Sequence, residues 1–244
     1  MQRVDILLVE QGLCDSRSRA QALIKGGHVF ATDVKVEKPS ETFASDTVFR
    51  IEGEDHPWAS RGGLKLTRAI EHFGLDVKGM TAIDVGASTG GFTDVLLHHG
   101  ARKVYAVDVG SGQMIQRLKE DLRVVNLEST NARMLNENFI PEPADIVVCD
   151  ASFIGLELVL PAALRLTKPQ AMLVALIKPQ FEVGKGRVGK NGVVTDSELH
   201  EEVCERITRW INSLDGWNVQ GMTDSPILGP AGNKEFLVYA RRSS

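Results

Sequence analysis

The chain has 244 residues, a formal net charge of -4, and 43% hydrophobic and 25% charged residues. That length holds one large core plus a smaller one, and the balance excludes disordered, collagen-like and disulfide-stapled classes. The acidic excess excludes a nucleic-acid binder that works by bulk charge, so any such role must rest on a local patch. Cys14, Cys149 and Cys204 are far apart and show no CxxC or Cys/His ligand spacing, which predicts reduced thiols and no metal site. The opening MQRVDILLVEQ is interrupted by Asp5 and Glu10 and does not read as a secretory leader. No apolar run approaches the roughly 18–20 residues of a membrane span. A cytoplasmic protein that makes no membrane contact is expected, as a two-domain monomer.

In chain order, residues 1–55 carry short elements: a helix (VDILLVEQG), a second helix (SRSRAQALIKGG), then brief β-like runs (HVFATDVKV, TVFRIE). They predict a small α+β domain. GEDHPWASRGG follows, broken by Gly53, Pro57, Gly62 and Gly63, so residues 56–63 read as a linker. LKLTRAIEHFG is an amphipathic helix that opens a domain over 64–244. From Met80 onward strand, loop and helix alternate, with strands TAIDV, KVYAVDV, RVVNLE, DIVVCD and MLVALIK. Short, mostly apolar runs of this kind are buried on both faces of a parallel sheet, so the prediction is a doubly wound, Rossmann-like α/β domain. GWNVQGMTDS and EFLVYARR, separated by a turn-rich loop, predict an antiparallel edge hairpin.

The stretch DVGASTGGFTD (84–94) joins a strand to a helix through three glycines, which implies close approach to the backbone. It is not a phosphate loop, because Gly91 is followed by Phe92 rather than lysine, and it lacks the GxGxxG of dinucleotide sites. Asp108, at the end of the next strand, is placed to take both hydroxyls of an adenosine ribose. A nucleoside ligand without pyrophosphate fits best, and S-adenosylmethionine is such a ligand. Its expected contacts are Asp84 on the amino group, then Gly86, Ala87, Ser88, Thr89, Gly90, Gly91 and Phe92, with Asp108 on the ribose. The bland alternative is a tight strand–helix turn.

Four further residues invite chemistry. Asp150 ends DIVVCD, where it borders the cleft or caps the next helix. Lys178 ends LVALIK, as a snorkelling terminus or a partly desolvated amine. Lys65 alone reads as a solvated helical lysine, and Glu235 alone as a surface charge at a strand start.

Together, DVGASTGGFTD, Asp150, IKPQFE (177–182) and NKEF (233–236) resemble the FtsJ-type ribose 2′-O-methyltransferases. That resemblance implies a class I methyltransferase domain and a catalytic Lys–Asp–Lys–Glu set, matched by Lys65, Asp150, Lys178 and Glu235. SRGGLKL (60–66), DASFI (150–154) and KPQFE resemble the TlyA family within that group, over essentially the whole chain. The family, historically labelled haemolysin, implies methylation of cytidine ribose in ribosomal RNA within ribosomal subunits. Ser88-Thr89 departs from the Ala-Pro pair common at that place in FtsJ-type enzymes, and so bears on local loop shape. The resemblance also places Asn131 near the adenine, against an equal reading as a turn asparagine. Lys178 is then expected to handle the 2′-hydroxyl proton, with Lys65 a nearby cation that helps depress its pKa. Phe153 and Phe181 read first as core packing, with stacking on a target base as the alternative.

RVDILLVEQGLCDSRSRAQALIKGGHV (3–29) resembles the small RNA-binding domain of the S4 type. Arg17, Arg19, Lys25 and His28 occur in 16–28 without an acid among them, and with Arg3 and Arg61 form the candidate RNA contacts. Residues 1–61 as a whole hold eight Lys/Arg against ten Asp/Glu, so the patch must carry the affinity. GKGRVGKNG (184–192) reads as a basic loop that closes over RNA or merely connects. Three rivals remain: a non-enzymatic ribosome-assembly factor, a membrane-active haemolysin, and a nicotinamide oxidoreductase, the last disfavoured by the missing GxGxxG.

Overall fold

Short, mostly apolar runs become strands covered on both faces, and this rule builds the centre of the large sheet. The computed structural model describes residues 1–14, 16–52, 56–184 and 186–243, and the chain divides into two compact units, Met1–Ser60 and Arg61–Ser244.

The smaller unit runs β1 (Gln2–Arg3), α1 (Val4–Glu10), α2 (Arg17–Gly26), β2 (Val29–Ala31), β3 (Val34–Lys35), β4 (Thr42–Phe43) and β5 (Phe49–Ile51). Val4, Leu7 and Leu8 of α1 pack with Ala20, Leu23 and Ile24 of α2, both sets at i, i+3, i+4 spacing. Ser16 starts α2 by accepting the Arg19 N–H at 3.2 Å. The strands are too short to stand alone and form two antiparallel sheets, β1-β4 and β3-β2-β5.

One acid lies inside this small core. Asp5 is fully buried on α1 and accepts from Arg3 Nε at 3.0 Å, Arg17 Nη2 at 3.1 Å and Gln21 Nε2 at 2.8 Å. Arg3 above all, then Gln21 and Arg17, hold its carboxyl well below the usual carboxylate range, against the opposing effect of burial. Replacing Asp5 by alanine should therefore cost about 2 kcal/mol at neutral pH, the scale of hydrogen bonds to a buried charge. Because the folded carboxyl titrates below the unfolded one, this stability is complete above the unfolded pKa of about 3.9 and declines as pH falls further. Thermal melts of the wild type and Asp5→Ala should differ fully at pH 7 and converge below about pH 4. A gap that persists undiminished in acid would contradict this account.

The larger unit continues with α3 (Gly62–Phe73), β6 (Thr81–Val85), α4 (Gly91–His98), β7 (Lys103–Val107), α5 (Gln116–Lys119), β8 (Val124–Leu127), β9 (Ala144–Cys149), α6 (Leu156–Val159), α7 (Pro161–Arg165), β10 (Thr167–Ile177), α8 (Pro179–Glu182), α9 (Ser197–Ser213), β11 (Trp217–Asp224) and β12 (Phe236–Arg242). Seven strands form one sheet in the order β11-β12-β10-β9-β6-β7-β8. β10, β9, β6, β7 and β8 are parallel, while β12 runs antiparallel to both β10 and β11. The hairpin expected at the edge is present, with β12 seated beside β10. β10 starts at Thr167, earlier than its apolar run, because the exposed Lys168-Pro169-Gln170 extends it past a register break.

This order places the site. The chain goes from β6 outward to β7 and β8, then returns to β9 on the other flank of β6. Ligands of open α/β sheets bind beyond the carboxyl ends of the strands at such a switch point. Here that edge carries Gly86 after β6, Asp108 after β7, Asp150 after β9 and Lys178 after β10. The antiparallel register Ile177↔Phe236 brings the start of β12, and so Glu235, to the same edge.

Candidate active site

Lys65 lies on the inner face of α3 with Leu66, Ala69 and Ile70 and is buried, so it is not a solvated helical lysine. Its Nζ stands 2.7 Å from Glu235 Oε2 and 3.4 Å from both carboxylate oxygens of Asp150. Lys178 Nζ stands 2.7 Å from Asp150 Oδ1, and donates to the Asp150 carbonyl at 3.0 Å and to Ser152 Oγ at 2.9 Å. Glu235 has a fully buried side chain, not a surface one, and also accepts from Gln180 Nε2 at 3.1 Å. Asp150 caps no helix; the nearest one, α6, starts after Gly155. Four residues from four elements thus meet as two cations and two carboxylates. Burying such a group gains little stability over apolar packing, so its presence at a sheet switch point makes it the candidate site.

The glycine loop divides by role. Gly86 and Ser88 line a cleft of about 480 Å³ that Asp108, Asn131, Asp150 and Phe153 also line. Asp108 accepts the Ser88 N–H on Oδ2 and the Gly110 N–H on Oδ1, each at 2.8 Å, and each oxygen can accept a further bond. The remaining loop residues serve the protein's own packing. The Gly86 and Ala87 N–H groups donate to the Val107 carbonyl, and the Thr89 carbonyl accepts from Ile115. A Cβ on Gly90, where φ is +101°, would come within 2.3 Å of Leu118 Cδ1. Gly91 and Phe92 are buried at the start of α4. Asp84 is fully buried, accepts the Thr93 hydroxyl at 2.7 Å on Oδ2, and leaves Oδ1 without a partner. Burial pushes its carboxyl up to about 7. Asn131 borders the cleft, yet its Oδ1 accepts from the Arg133 N–H and Nε, capping a single turn over Ala132–Met134.

Phe153 corrects the core-packing expectation. It is 90% exposed, has φ of +65°, and lies 5.0 Å from the Phe181 ring between centroids. Sequence reasoning did not single out Ser152, Gln180 or Glu182. Each lies two or four residues beyond Asp150 or Lys178, inside the motifs DASFI and KPQFE, which gave no role to the individual positions.

The FtsJ-like methyltransferase model matches residues 58–242, and the S4 domain model residues 2–44. A 16S/23S rRNA (cytidine-2′-O)-methyltransferase TlyA from Mycobacterium tuberculosis is 44% identical across 98% of this chain and 89% of its own length. The chain belongs to the TlyA family of FtsJ-like methyltransferases. A Streptococcus thermophilus structure described as a hemolysin is 40% identical with a TM-score of 0.79, covering 100% of this chain and 89% of that one. The magnesium protoporphyrin IX methyltransferase of Synechocystis, solved with bound SAH, shares the fold alone: TM-score 0.52 at 15% identity, covering 76% and 84%.

The cofactor of such a methyltransferase is S-adenosylmethionine, and the cleft suits it. Asp108 lines it and offers paired acceptors for a ribose, whereas Asp84 is fully buried and does not line it. Among the described residues no cluster could hold a metal ion, and no helix is long and apolar enough to cross a membrane.

In the smaller unit, Arg3 and Arg17 are gathered on Asp5 with their side chains 42% and 55% exposed. Arg19 pairs with His56 at 2.8 Å, and His28 Nδ1 with the Glu52 carbonyl at 2.9 Å. Lys25 is exposed in the last turn of α2. Arg61 is exposed at the start of α3 in the larger unit. Lys185, in the basic 184–192 segment, lies outside the described residues, as do residues 53–55.

Proposed function

We propose that the chain methylates the ribose 2′-hydroxyl of a cytidine in ribosomal RNA, acting on ribosomal subunits in the cytoplasm. The observation that carries this reading is the Lys65–Asp150–Lys178–Glu235 cluster, whose Asp150 lines the cleft. S-adenosylmethionine supplies the activated methyl group, so the protein's own task is to orient the acceptor oxygen and remove its proton.

Lys178 Nζ has three partners: it forms an ion pair with Asp150 Oδ1 and donates to the Asp150 carbonyl and Ser152 Oγ. The first two are held within the cluster, whereas Ser152 is exposed in the cleft. The acceptor hydroxyl takes the place of Ser152 Oγ and hydrogen-bonds to Nζ, which aims its lone pair. Nζ passes one proton to Asp150 Oδ1 and, with the lone pair so freed, takes the hydroxyl proton as the oxygen–carbon bond forms and the methyl carbon–sulfur bond breaks to leave a neutral thioether. Lys65, braced by Glu235, fixes the Asp150 carboxylate. Phe153 offers an exposed face to a base turned out of its stack. The basic residues of the smaller unit contact phosphates and position the RNA.

The test is methyl transfer from labelled S-adenosylmethionine to large and small ribosomal subunits from an unmodified strain. Label should appear as 2′-O-methylcytidine in the RNA of at least one subunit. Cofactor binding without transfer to either would remove this reading in favour of an assembly factor. The haemolysin reading draws no support from the charged cluster, which membrane lysis does not need.

A further inference from the structure

A second ionic group stands behind the transfer site and takes no part in the chemistry above. Glu182 ends α8, four residues after Lys178, with its side chain 4% exposed. Its Oε1 accepts the Leu156 N–H at 2.8 Å and its Oε2 accepts from Arg206 Nη2 at 2.7 Å. Arg206, on α9, also donates to the Glu182 carbonyl at 3.1 Å and to Glu157 Oε1 at 2.7 Å. Leu156 is the first residue of α6, so its N–H has no partner within the helix. The carboxylate approaches closely enough that a Cβ on Gly155 would come within 3.2 Å of Oε2. Burial pushes the Glu182 carboxyl up, against the pull of the Leu156 N–H and Arg206.

A buried charge is a costly way to pack a helix end, so its geometry is the informative part. The sheet fixes the chain as far as Cys149 on β9 and Ile177 on β10. Beyond those points two separate segments carry the site: Asp150, Ser152 and Phe153 on one, Lys178 and Phe181 on the other. The first includes a strained turn, since a phenylalanine at φ +65° costs about 1–3 kcal/mol and persists only when its surroundings impose it. Leu156 lies three residues past that turn, and Glu182 holds it from the other segment.

We propose that Glu182 is a positioning residue for methyl transfer, clamping the Asp150–Phe153 loop to the Lys178–Phe181 turn, with Arg206 holding the clamp from α9. The proposal rests on the methyl-transfer reading for its kinetic part only. Three full-length proteins test it: wild type, Glu182→Ala and Glu182→Gln, the last still offering an oxygen to Leu156. For Glu182→Ala, kcat should fall about 10–100-fold while the cofactor Kd and the KM for ribosomal subunits stay within about threefold, as misplacement of reacting groups predicts. Glu182→Gln should recover most of the lost kcat. Hydrogen exchange over residues 150–158 should quicken in the alanine variant and return toward normal in the glutamine one.

Unchanged kcat in Glu182→Ala would overturn the proposal. So would equal loss in both variants accompanied by a matching fall in cofactor affinity and melting temperature, which marks a merely structural role. The exchange measurement needs no turnover. A wild type that transfers no methyl group removes the functional reading, whereas unchanged exchange over 150–158 in Glu182→Ala removes the clamp.

Discussion

Lys178→Ala is expected to lower the rate of methyl transfer by about 10²–10⁴-fold, the contribution of a positioned proton-handling group. The geometry explains the size. Nζ joins Asp150 Oδ1, the Asp150 carbonyl and Ser152 Oγ, and Asp150 and Ser152 line the cleft where the acceptor hydroxyl must enter. Without it the hydroxyl has neither a partner to aim its lone pair nor a path for its proton. Asp150 would retain only Lys65, at 3.4 Å. Lys178→Arg separates charge from proton handling, because a guanidinium stays protonated and presents a planar fork rather than a compact ammonium. It should fail nearly as badly. The four residues act as a unit, so Lys178→Ala combined with Asp150→Ala should lose little more than the worse single variant. Each comparison requires single-turnover rates together with an unaltered melting temperature and cofactor Kd. Near-normal turnover by Lys178→Ala on its proper RNA would sink the assignment.

The elements that make this site differ in how plainly they could be read from the sequence. TAIDV and DIVVCD are short, apolar and bounded by turn residues, so parallel pairing and an acid at the strand end follow from pattern alone. Asp108, Asp150 and Lys178 were legible for that reason. Lys65 and Glu235 were not, since a lysine on an amphipathic helix and a glutamate before a strand are ordinary surface residues. Only the resemblance to a family singled them out, and it takes the antiparallel register of β12 to bring Glu235 next to Lys65 across 170 positions. Phe153 misled, because apolar residues beside apolar runs are usually core and nothing local signals a strained, exposed turn. The basic stripe in 16–28 had no acid within it, yet Asp5, from the preceding helix, holds Arg17 and Arg3. Sequence spacing does not report such a contact. Two-residue strands such as β1 and β4 carry no periodicity and exist only because tertiary neighbours pair them.

Gly86→Ala is expected to weaken S-adenosylmethionine binding and methyl transfer together, each by about 10²-fold, the scale for reacting groups displaced by about an ångström. Two independent obstacles act on the same atom. The backbone at Gly86 has φ of +84°, which an L side chain adopts only with strain. An added Cβ would also stand 2.8 Å from Ala151 Cα, 2.9 Å from Ala151 N and 3.1 Å from the Asp150 carbonyl carbon. Those are backbone atoms of the segment after β9, so relief requires moving the chain that carries Asp150. Movement of Gly86 is opposed by its N–H bond to the Val107 carbonyl, which ties the loop to the end of β7 and so to Asp108. The loop's first glycine is therefore demanded as much by the neighbouring strand end as by the ligand. Gly90 offers the contrast, since the nearest atom to a Cβ there is the tip of the Leu118 side chain. Shortening Leu118 should partly rescue Gly90→Ala, limited by the strain of its own φ, whereas no side-chain truncation should rescue Gly86→Ala. Isothermal titration with the cofactor and single-turnover transfer would measure both. Wild-type cofactor affinity in Gly86→Ala would mean that the Asp150 segment yields freely, and that the close approach of the two strand ends does not hold the site.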